Sequence, residues 1–176
     1  MGIGFAVDAA AIDESAIAGE SPVALATRLA ETKARTVLAR RTDDLPVLAA
    51  DTIVVLDGRV LGKPADEAEG VAMLLSLAAR AHEVVTAVAL ATRARSACVV
   101  STTRVYFRAV DAAEAHASWA TGEASDKAGG YGIQGVGGIF VDHIEGSYSG
   151  VVGLPVAATE SLLRAFGVDT WRYRVR

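Results

Sequence analysis

The stretch Pro46-Val-Leu-Ala-Ala-Asp-Thr-Ile-Val-Val-Leu56 is a nearly continuous apolar run with the length of a β-strand. Apolar side chains on both faces are typical of a central strand that is covered on both sides. Asp51 and Thr52 interrupt the run at its middle, and a buried carboxylate is costly unless it is paired, protonated or bound to a cation. Asp51 could simply cap neighbouring backbone, but its place in an unbroken strand favours a functional role.

The flanking sequence predicts further strands and helices. Asp57-Gly58 is typical of a two-residue hairpin turn, which leads into a short strand at Val60-Leu61. Ser21 and Pro22 predict the start of a helix that runs to about Arg41, with Lys33 at the border of its buried face. The other predicted elements are strands at 2–8, 82–92, 97–108 and 139–144, helices at 67–79, 112–121 and 155–166, and a solvated final strand or tail at 171–176.

Length and composition limit the class of protein. The 176 residues suit one domain or two small lobes, and 52% hydrophobic with 22% charged residues is typical of a folded soluble protein. A net charge of −4 provides no basic surface, so nucleic acid is not an expected partner. The sequence shows no signal-peptide pattern and no apolar run near the ~20 residues that span a bilayer. We therefore expect a cytoplasmic protein without a membrane partner.

Two loops place polar groups near glycine. Gly62-Lys63-Pro64 presents Lys63 on a rigid loop, because proline cannot donate to a strand ladder. Residues 126–141 combine charge, six glycines and Gln134, and backbone without Cβ atoms can approach a ligand closely. A mobile surface loop is the alternative interpretation. Residues 130–135 match the dinucleotide fingerprint G-x-G-x-x-G, but they lead into a predicted strand rather than a helix, so we reject that function.

The polar residues singled out so far have a common chemistry. Lys33 and Lys63 on firm supports can neutralise phosphate oxygens. Glu14 and Asp51 can hold a divalent cation or activate water. This combination is typical of metal-assisted hydrolysis of a nucleotide phosphoanhydride, in which positioning and charge stabilisation provide most of the catalysis.

Short motifs along almost the whole chain closely resemble the Maf family of nucleoside triphosphate pyrophosphatases. They are Asp13-Glu14, Gly19-Glu20-Ser-Pro22, Arg28-Leu-Ala-Glu-Thr-Lys-Ala34, Ala49-Ala-Asp-Thr52, Leu61-Gly-Lys-Pro64, His82, Val85-Thr-Ala-Val88, Thr121-Gly-Glu123, Asp126-Lys-Ala-Gly-Gly-Tyr-Gly-Ile-Gln-Gly135 and Gly146-Ser-Tyr-Ser-Gly-Val-Val-Gly-Leu-Pro155. The resemblance implies an α/β fold with a mixed twisted sheet flanked by helices. It also implies one Maf-like domain over residues 1–176, built of two lobes with a cleft between them.

The resemblance further implies an activity and a site. Members of the family cleave between the α and β phosphates, giving a nucleoside monophosphate and pyrophosphate with a divalent metal, Mg²⁺ or Mn²⁺. Asp51 would accept the proton of the attacking water, and Glu14, Lys33 and Lys63 would line the phosphate site. Asp51 and Glu14 would bind the metal. A homodimer is also implied.

The base would be chosen by a second group of residues. Thr52 and Gln134 fall at positions that the family uses for this choice, and Lys127 and Gly130 belong to the same substrate-binding set. A threonine, a lysine and a glutamine at these places resemble the branch acting on dTTP and UTP, rather than the branch acting on 7-methyl-GTP. The glutamine amide offers both a donor and an acceptor to a pyrimidine edge.

One part of the family pattern has no counterpart in this sequence. Family members open with a strand, a Ser-x-Ser-Pro-Arg-Arg loop that binds the triphosphate, and a helix, before the strand that residues 2–8 resemble. We therefore expect a sheet without its first strand and helix. A start codon placed too late is the preferred explanation, and a truncated form with impaired catalysis is the other. A house-cleaning pyrophosphatase for modified nucleotides and a catalytically impaired nucleotide-binding or division-regulating protein stay open as alternatives.

Overall fold

Strand β1 (Val47–Leu56) lies within a five-stranded sheet in the computed structural model, which describes residues 2–173. The other strands are β2 (Arg59–Leu61), β3 (Ala81–Ala91), β4 (Ser96–Phe107) and β5 (Val141–Glu145). Their order is β2-β1-β3-β4-β5, and every pairing is antiparallel. The α/β class with helices on the sheet is confirmed, while its strand directions differ from the mixed sheet we expected. Tight turns after β1 and β3 reverse the chain and account for two of these antiparallel pairs.

Five α-helices accompany the sheet in the described part of the chain. They are α1 (Pro22–Arg40), α2 (Glu67–Leu77), α3 (Ala112–Ala120), α4 (Tyr148–Val152) and α5 (Val156–Ala165), with 3₁₀ turns at Ala128–Gly130 and Val136–Phe140. Ser21, Asp66 and Asp111 each accept a hydrogen bond from the backbone N–H three residues later, which fixes the starts of α1, α2 and α3. Helix α4 was not predicted from the sequence. No helix in residues 2–173 is long and apolar enough to cross a bilayer.

The predicted strand at residues 2–8 is wrong. Only Ile3 forms an isolated bridge, and the side chains of Phe5 and Val7 are 86% and 85% exposed. An extended segment becomes a strand only where a neighbour satisfies its backbone, and in the described chain no strand lies beside residues 4–8. At the other end, residues 170–173 form a turn rather than a strand, and residues 174–176 lie outside the described part.

Strand β1 is paired on both sides along only part of its length. Strand β3 runs beside it from Val47 to Val55, whereas the short β2 pairs only with residues 54–56. In the part of the chain that the structure describes, residues 47–53 therefore have a neighbouring strand on one side only. The expectation of a fully central strand is wrong for this half, because Pro64 and the loop before it turn the chain away after three residues of β2. Within residues 2–173, Asp51 and Thr52 thus have β3 as their neighbouring strand.

The two faces of the sheet carry separate cores. Helix α1 packs on one face, where Leu29, Ala30 and Ala34 meet alternate residues of β1 and β3. The opposite face carries α2 together with Tyr131 and Phe140. Successive residues of a strand point to opposite faces. Asp51 therefore faces α1, and Thr52 faces the other side of the sheet.

Helix α2 contacts helix α3 at Gly70, which lies under the ring of Trp119. A Cβ atom at position 70 would be 2.4 Å from two ring carbons of Trp119. We expect Gly70→Ala to lower the free energy of unfolding by about 1–3 kcal/mol through overpacking. At an exposed helix position the same change would instead raise the free energy of unfolding by about 0.5–1 kcal/mol. Denaturant unfolding measures the difference. In a Trp119→Leu background Gly70→Ala should become neutral or stabilising. An equal loss of stability in both backgrounds would contradict the steric explanation.

His82 is a buried histidine whose titration should make stability depend on pH. Its side chain is 2% exposed, its Nε2 lies 2.7 Å from the Tyr131 hydroxyl, and burial lowers its pKa from 6.5 to about 4. The unfolded chain binds this proton first as the pH falls, so about 3 kcal/mol of stability present above pH 6.5 should be lost towards pH 4. His82→Gln should flatten this part of the pH–stability curve, measured by denaturant unfolding, whereas the exposed control His116→Gln should keep the wild-type fall. A wild-type slope in His82→Gln would disprove the assignment.

Candidate active site

One lysine on α1 contacts two carboxylates. The Nζ of Lys33 lies 2.7 Å from Oδ1 of Asp51 and 2.6 Å from Oε1 of Glu14. Lys33 is on the face of α1 that packs on the sheet, so its side chain extends toward the middle of β1. The Asp51 side chain is 9% exposed, and that of Glu14 is 49% exposed. The cluster therefore has one buried acid, one accessible acid and a cation between them.

The surroundings change the proton affinity of each member of this cluster. Burial raises the pKa of the Asp51 carboxyl above its usual range, although the hydrogen bond from Lys33 lowers it. The hydrogen bond from Lys33 also holds the pKa of Glu14 below its usual range. Burial lowers the pKa of Lys33, but its bonds to the two carboxylates outweigh this and the net shift is upward. Asp51 is therefore a stronger base than an exposed aspartate, beside an ammonium group that stays charged.

The segment that carries Glu14 has no regular structure and is held by a side chain of α1. The guanidinium of Arg28 donates to both carboxylate oxygens of Glu20 at 2.7 and 2.8 Å, and to the carbonyl oxygen of Ser15 at 2.9 Å. A bidentate pair of this kind fixes orientation as well as distance. Arg28 and Glu20 thus place the loop next to Lys33. Both residues lie in motifs noted in the sequence, but no role had been inferred for them.

A cavity of about 450 Å³ opens on the other face of β1. Thr52 and Val54 form its floor, and Lys63, Lys127, Gln134 and Val151 are among the residues around it. No hydrogen bond to the Gln134 amide occurs among the described residues, and the side chain is exposed at the cavity. The volume lies within the range of small-molecule sites. Thr52 and Gln134, the two residues expected to choose the base, therefore share one cavity.

Lys63 connects the cavity with the carboxylate cluster. It lines the cavity, and its positive charge lowers the pKa values of both Asp51 and Glu14. The carbonyl oxygen of Gly62 accepts a hydrogen bond of 2.9 Å from the backbone N–H of Gly129, which ties the Lys63 loop to the glycine-rich segment. In the described chain Lys63 makes no ion pair. Its ammonium group is therefore available to an anion lying between the two parts of the site.

Glu123 shapes the loop that carries Gln134. Its carboxylate accepts a hydrogen bond of 2.8 Å from the backbone N–H of Val136 and lines the cavity. A Cβ atom on Gly135 would lie 2.1 Å from this carboxylate, so glycine is required for the close approach. The sequence motif containing Glu123 was noted, but the contact joins residues that are 13 positions apart and no local pattern predicts it.

Buried threonines attach α4 to the sheet beside the cavity. Thr86 donates to the carbonyl oxygen of Gly150 at 2.8 Å, and Thr103 accepts a hydrogen bond of 2.9 Å from the backbone N–H of Ser147. Both threonines are 0% exposed. The sequence places both threonines in predicted strands, and Thr86 also in a family motif, but assigns neither a role; a buried hydroxyl must find a partner, which is the signal that could have predicted a docked polar segment.

The structure brings together most, but not all, of the residues that the sequence analysis selected. Asp51, Glu14 and Lys33 form the cluster, while Thr52, Lys63, Lys127 and Gln134 line the cavity. Lys127 forms an ion pair with Asp126. Gly130 is buried against the backbone of Gly70 and is not a lining residue of the cavity.

The carboxylates suit a hard divalent cation that shares its ligands with a substrate. Residues 2–173 contain no group of three or more side chains of the His, Cys, Asp and Glu types that could enclose a metal. Mg²⁺ commonly binds through one or two carboxylates together with substrate phosphates and water. Asp51 and Glu14, which reach the same ammonium group, provide such a pair. They fit an ion that arrives with a phosphorylated ligand.

Comparison with known proteins identifies the family that this chain resembles. The family model described as "Maf-like protein" matches residues 1–166. A dTTP/UTP pyrophosphatase of Saccharophagus degradans is 49% identical over 98% of this chain and 83% of its own length. Enzymes with the same name from Methylobacillus flagellatus and Pasteurella multocida are 48% and 43% identical, each over 96% of this chain and over 85% and 88% of their own lengths.

The resemblance found in the short motifs thus extends to relatives that are 43–49% identical over nearly the whole chain. This chain belongs to the Maf family of proteins.

Proposed function

We propose that this chain is a nucleoside triphosphate pyrophosphatase that hydrolyses dTTP and UTP to the monophosphate and pyrophosphate. The observation that carries the proposal is the placement of the Asp51–Lys33–Glu14 cluster beside a cavity lined by Thr52 and Gln134. The names of relatives that are 43–49% identical support the same substrates.

Lys63 joins the two parts of the site. Asp51 and Thr52 are consecutive in β1 but face opposite sides of the sheet, and Lys63 lines the cavity while its charge acts on both Asp51 and Glu14. In the proposed complex the pyrimidine lies in the cavity and its phosphates extend toward Lys33. Lys63 stands between the two regions and would contact the phosphates on this path.

In this mechanism Asp51 removes a proton from the water that attacks the α-phosphorus. Its raised pKa makes it a better general base than an exposed aspartate, provided that the pH keeps it ionised. Lys33 and Lys63 stabilise the negative charge that builds up on the phosphate oxygens, and positioning provides much of the rate. Lys33 also keeps Asp51 and Glu14 together before substrate binds.

Asp51 and Glu14 would hold the divalent metal, Mg²⁺ or Mn²⁺. When bound, the ion supplies charge neutralisation at the phosphates and lowers the pKa of coordinated water. Lys127 would contribute a further positive charge at the cavity. A homodimer and a cytoplasmic location remain predictions from the sequence.

The catalytic role of Asp51 can be tested by a single isosteric change. We expect Asp51→Asn to lower kcat/KM for dTTP and UTP by about 10²–10⁴, because the amide cannot accept the proton from water. Release of pyrophosphate measures the rate. Asp57→Asn is the matched control, since Asp57 has the same charge, lies at the end of the same strand and pairs with Arg80 away from the cavity. Undiminished activity of Asp51→Asn would refute its role, and faster turnover of 7-methyl-GTP than of dTTP and UTP would refute the proposed substrates.

The pH dependence of kcat/KM should respond in opposite directions to removal of the two neighbours of Asp51. Lys33 lowers the pKa of Asp51 and Glu14 raises it. The acid side of the profile, where Asp51 becomes protonated, should therefore move to higher pH in Lys33→Gln and to lower pH in Glu14→Gln. Residual rates normalised to each maximum show the shift even where activity is low. Shifts in the same direction for both variants would exclude Asp51 as the titrating base.

A further inference from the structure

Two threonine hydroxyls and one backbone carbonyl connect Thr52 at the cavity to Gly150 in α4. The hydroxyl oxygens of Thr52 and Thr86 are 2.9 Å apart, and the Thr86 hydroxyl is 2.8 Å from the carbonyl oxygen of Gly150. Thr86 is 0% exposed and Gly150 is buried, so neither group can exchange its partner for bulk water. Thr52 is only partly buried and lines the cavity.

The carbonyl group fixes the direction of both hydrogen bonds. A carbonyl oxygen only accepts, so the single hydroxyl proton of Thr86 must point to Gly150. The Thr86 oxygen can then only accept from Thr52, and the hydroxyl proton of Thr52 is used in that bond. Toward a ligand in the cavity, Thr52 can therefore only accept a hydrogen bond through its lone pairs.

We propose that Thr86 is a positioning residue for base selection, which makes Thr52 an obligate hydrogen-bond acceptor and so favours a base with a ring N–H donor. This inference rests on the proposed function. Uracil and thymine carry a proton on N3 and can donate to Thr52. Cytosine carries a lone pair on N3, which would face the lone pairs of Thr52. Gln134 cannot make this distinction alone, because its amide offers both a donor and an acceptor and can rotate to suit either base.

The direct test compares UTP and CTP in the Thr86→Val variant, which keeps the shape of the side chain but removes its hydroxyl. The Thr52 hydroxyl can then turn its proton toward the cavity, so kcat/KM for CTP should rise or hold while that for UTP changes little or falls. We expect the UTP/CTP ratio of kcat/KM to shrink by about three- to tenfold, the value of about one hydrogen bond. A purely structural defect would lower kcat/KM for both substrates together and leave the UTP/CTP ratio unchanged. That result would overturn the proposal.

Two further variants distinguish the proposed role of the Thr86 hydroxyl from a loss of folding. Thr86→Ser keeps the hydroxyl and should restore the wild-type UTP/CTP ratio. In a Thr52→Val background the group through which Thr86 acts is absent, so adding Thr86→Val should not change the ratio further. A change of ratio in that background as large as in the wild-type background would show that Thr86 acts by another route and would refute the proposal.

The same measurements separate this inference from the proposed function. If the wild-type protein hydrolyses neither UTP nor dTTP, the proposed function fails and Thr86 has no selection to support. If it hydrolyses both, prefers UTP to CTP, and Thr86→Val retains that preference while folded, only the role of Thr86 fails. A wild-type protein that prefers UTP, together with a Thr86→Val variant that has lost the preference, supports both.

Discussion

The site depends on the contact between Lys33 and Asp51. A carboxylate in the middle of a strand that packs against a helix would favour its protonated form, because burial penalises its charge. The ammonium group at 2.7 Å offsets part of that penalty, and the pKa of Asp51 still lies above its usual range. Lys33 can reach Asp51 because Ala30, one turn before it, and Ala34, the next residue, are small enough to bring α1 close to the sheet. The packing of α1 on the sheet thus also sets the geometry of the candidate site.

Local sequence rules predicted the parts of the fold that local physics determines. Helices α1, α2 and α3 start where the sequence predicted them, and Asp57-Gly58 forms the turn between β1 and β2. The strand at residues 2–8 was wrong because its apolar character does not reveal whether a neighbour is present to pair with it. Five residues of α4 escaped prediction because so short a helix is stabilised by docking onto Thr86 and Thr103 rather than by its own propensity.

The candidate site could be predicted only residue by residue. Asp51 was recognisable as a charge within an apolar run, and Lys33 as a lysine bordering a buried helical face. The support of these groups was not recognisable, since Arg28 contacts a carbonyl 13 positions away and Thr86 contacts one that is 64 positions away. Such contacts are created by the tertiary fold and leave only an indirect trace, a polar group in a buried position that requires some partner.

The pairing of β1 with β3 also limits how this site can change. Asp51 and Thr52 face opposite sides only because they are adjacent along one extended backbone. Inserting or deleting a single residue before them in β1, with the rest of the strand held by β3, would turn each side chain to the other face. Loops around the cavity can vary in length without this effect. The alternation along β1 therefore fixes which face Asp51 and Thr52 each use, and a change in the length of the strand before them would exchange the two faces.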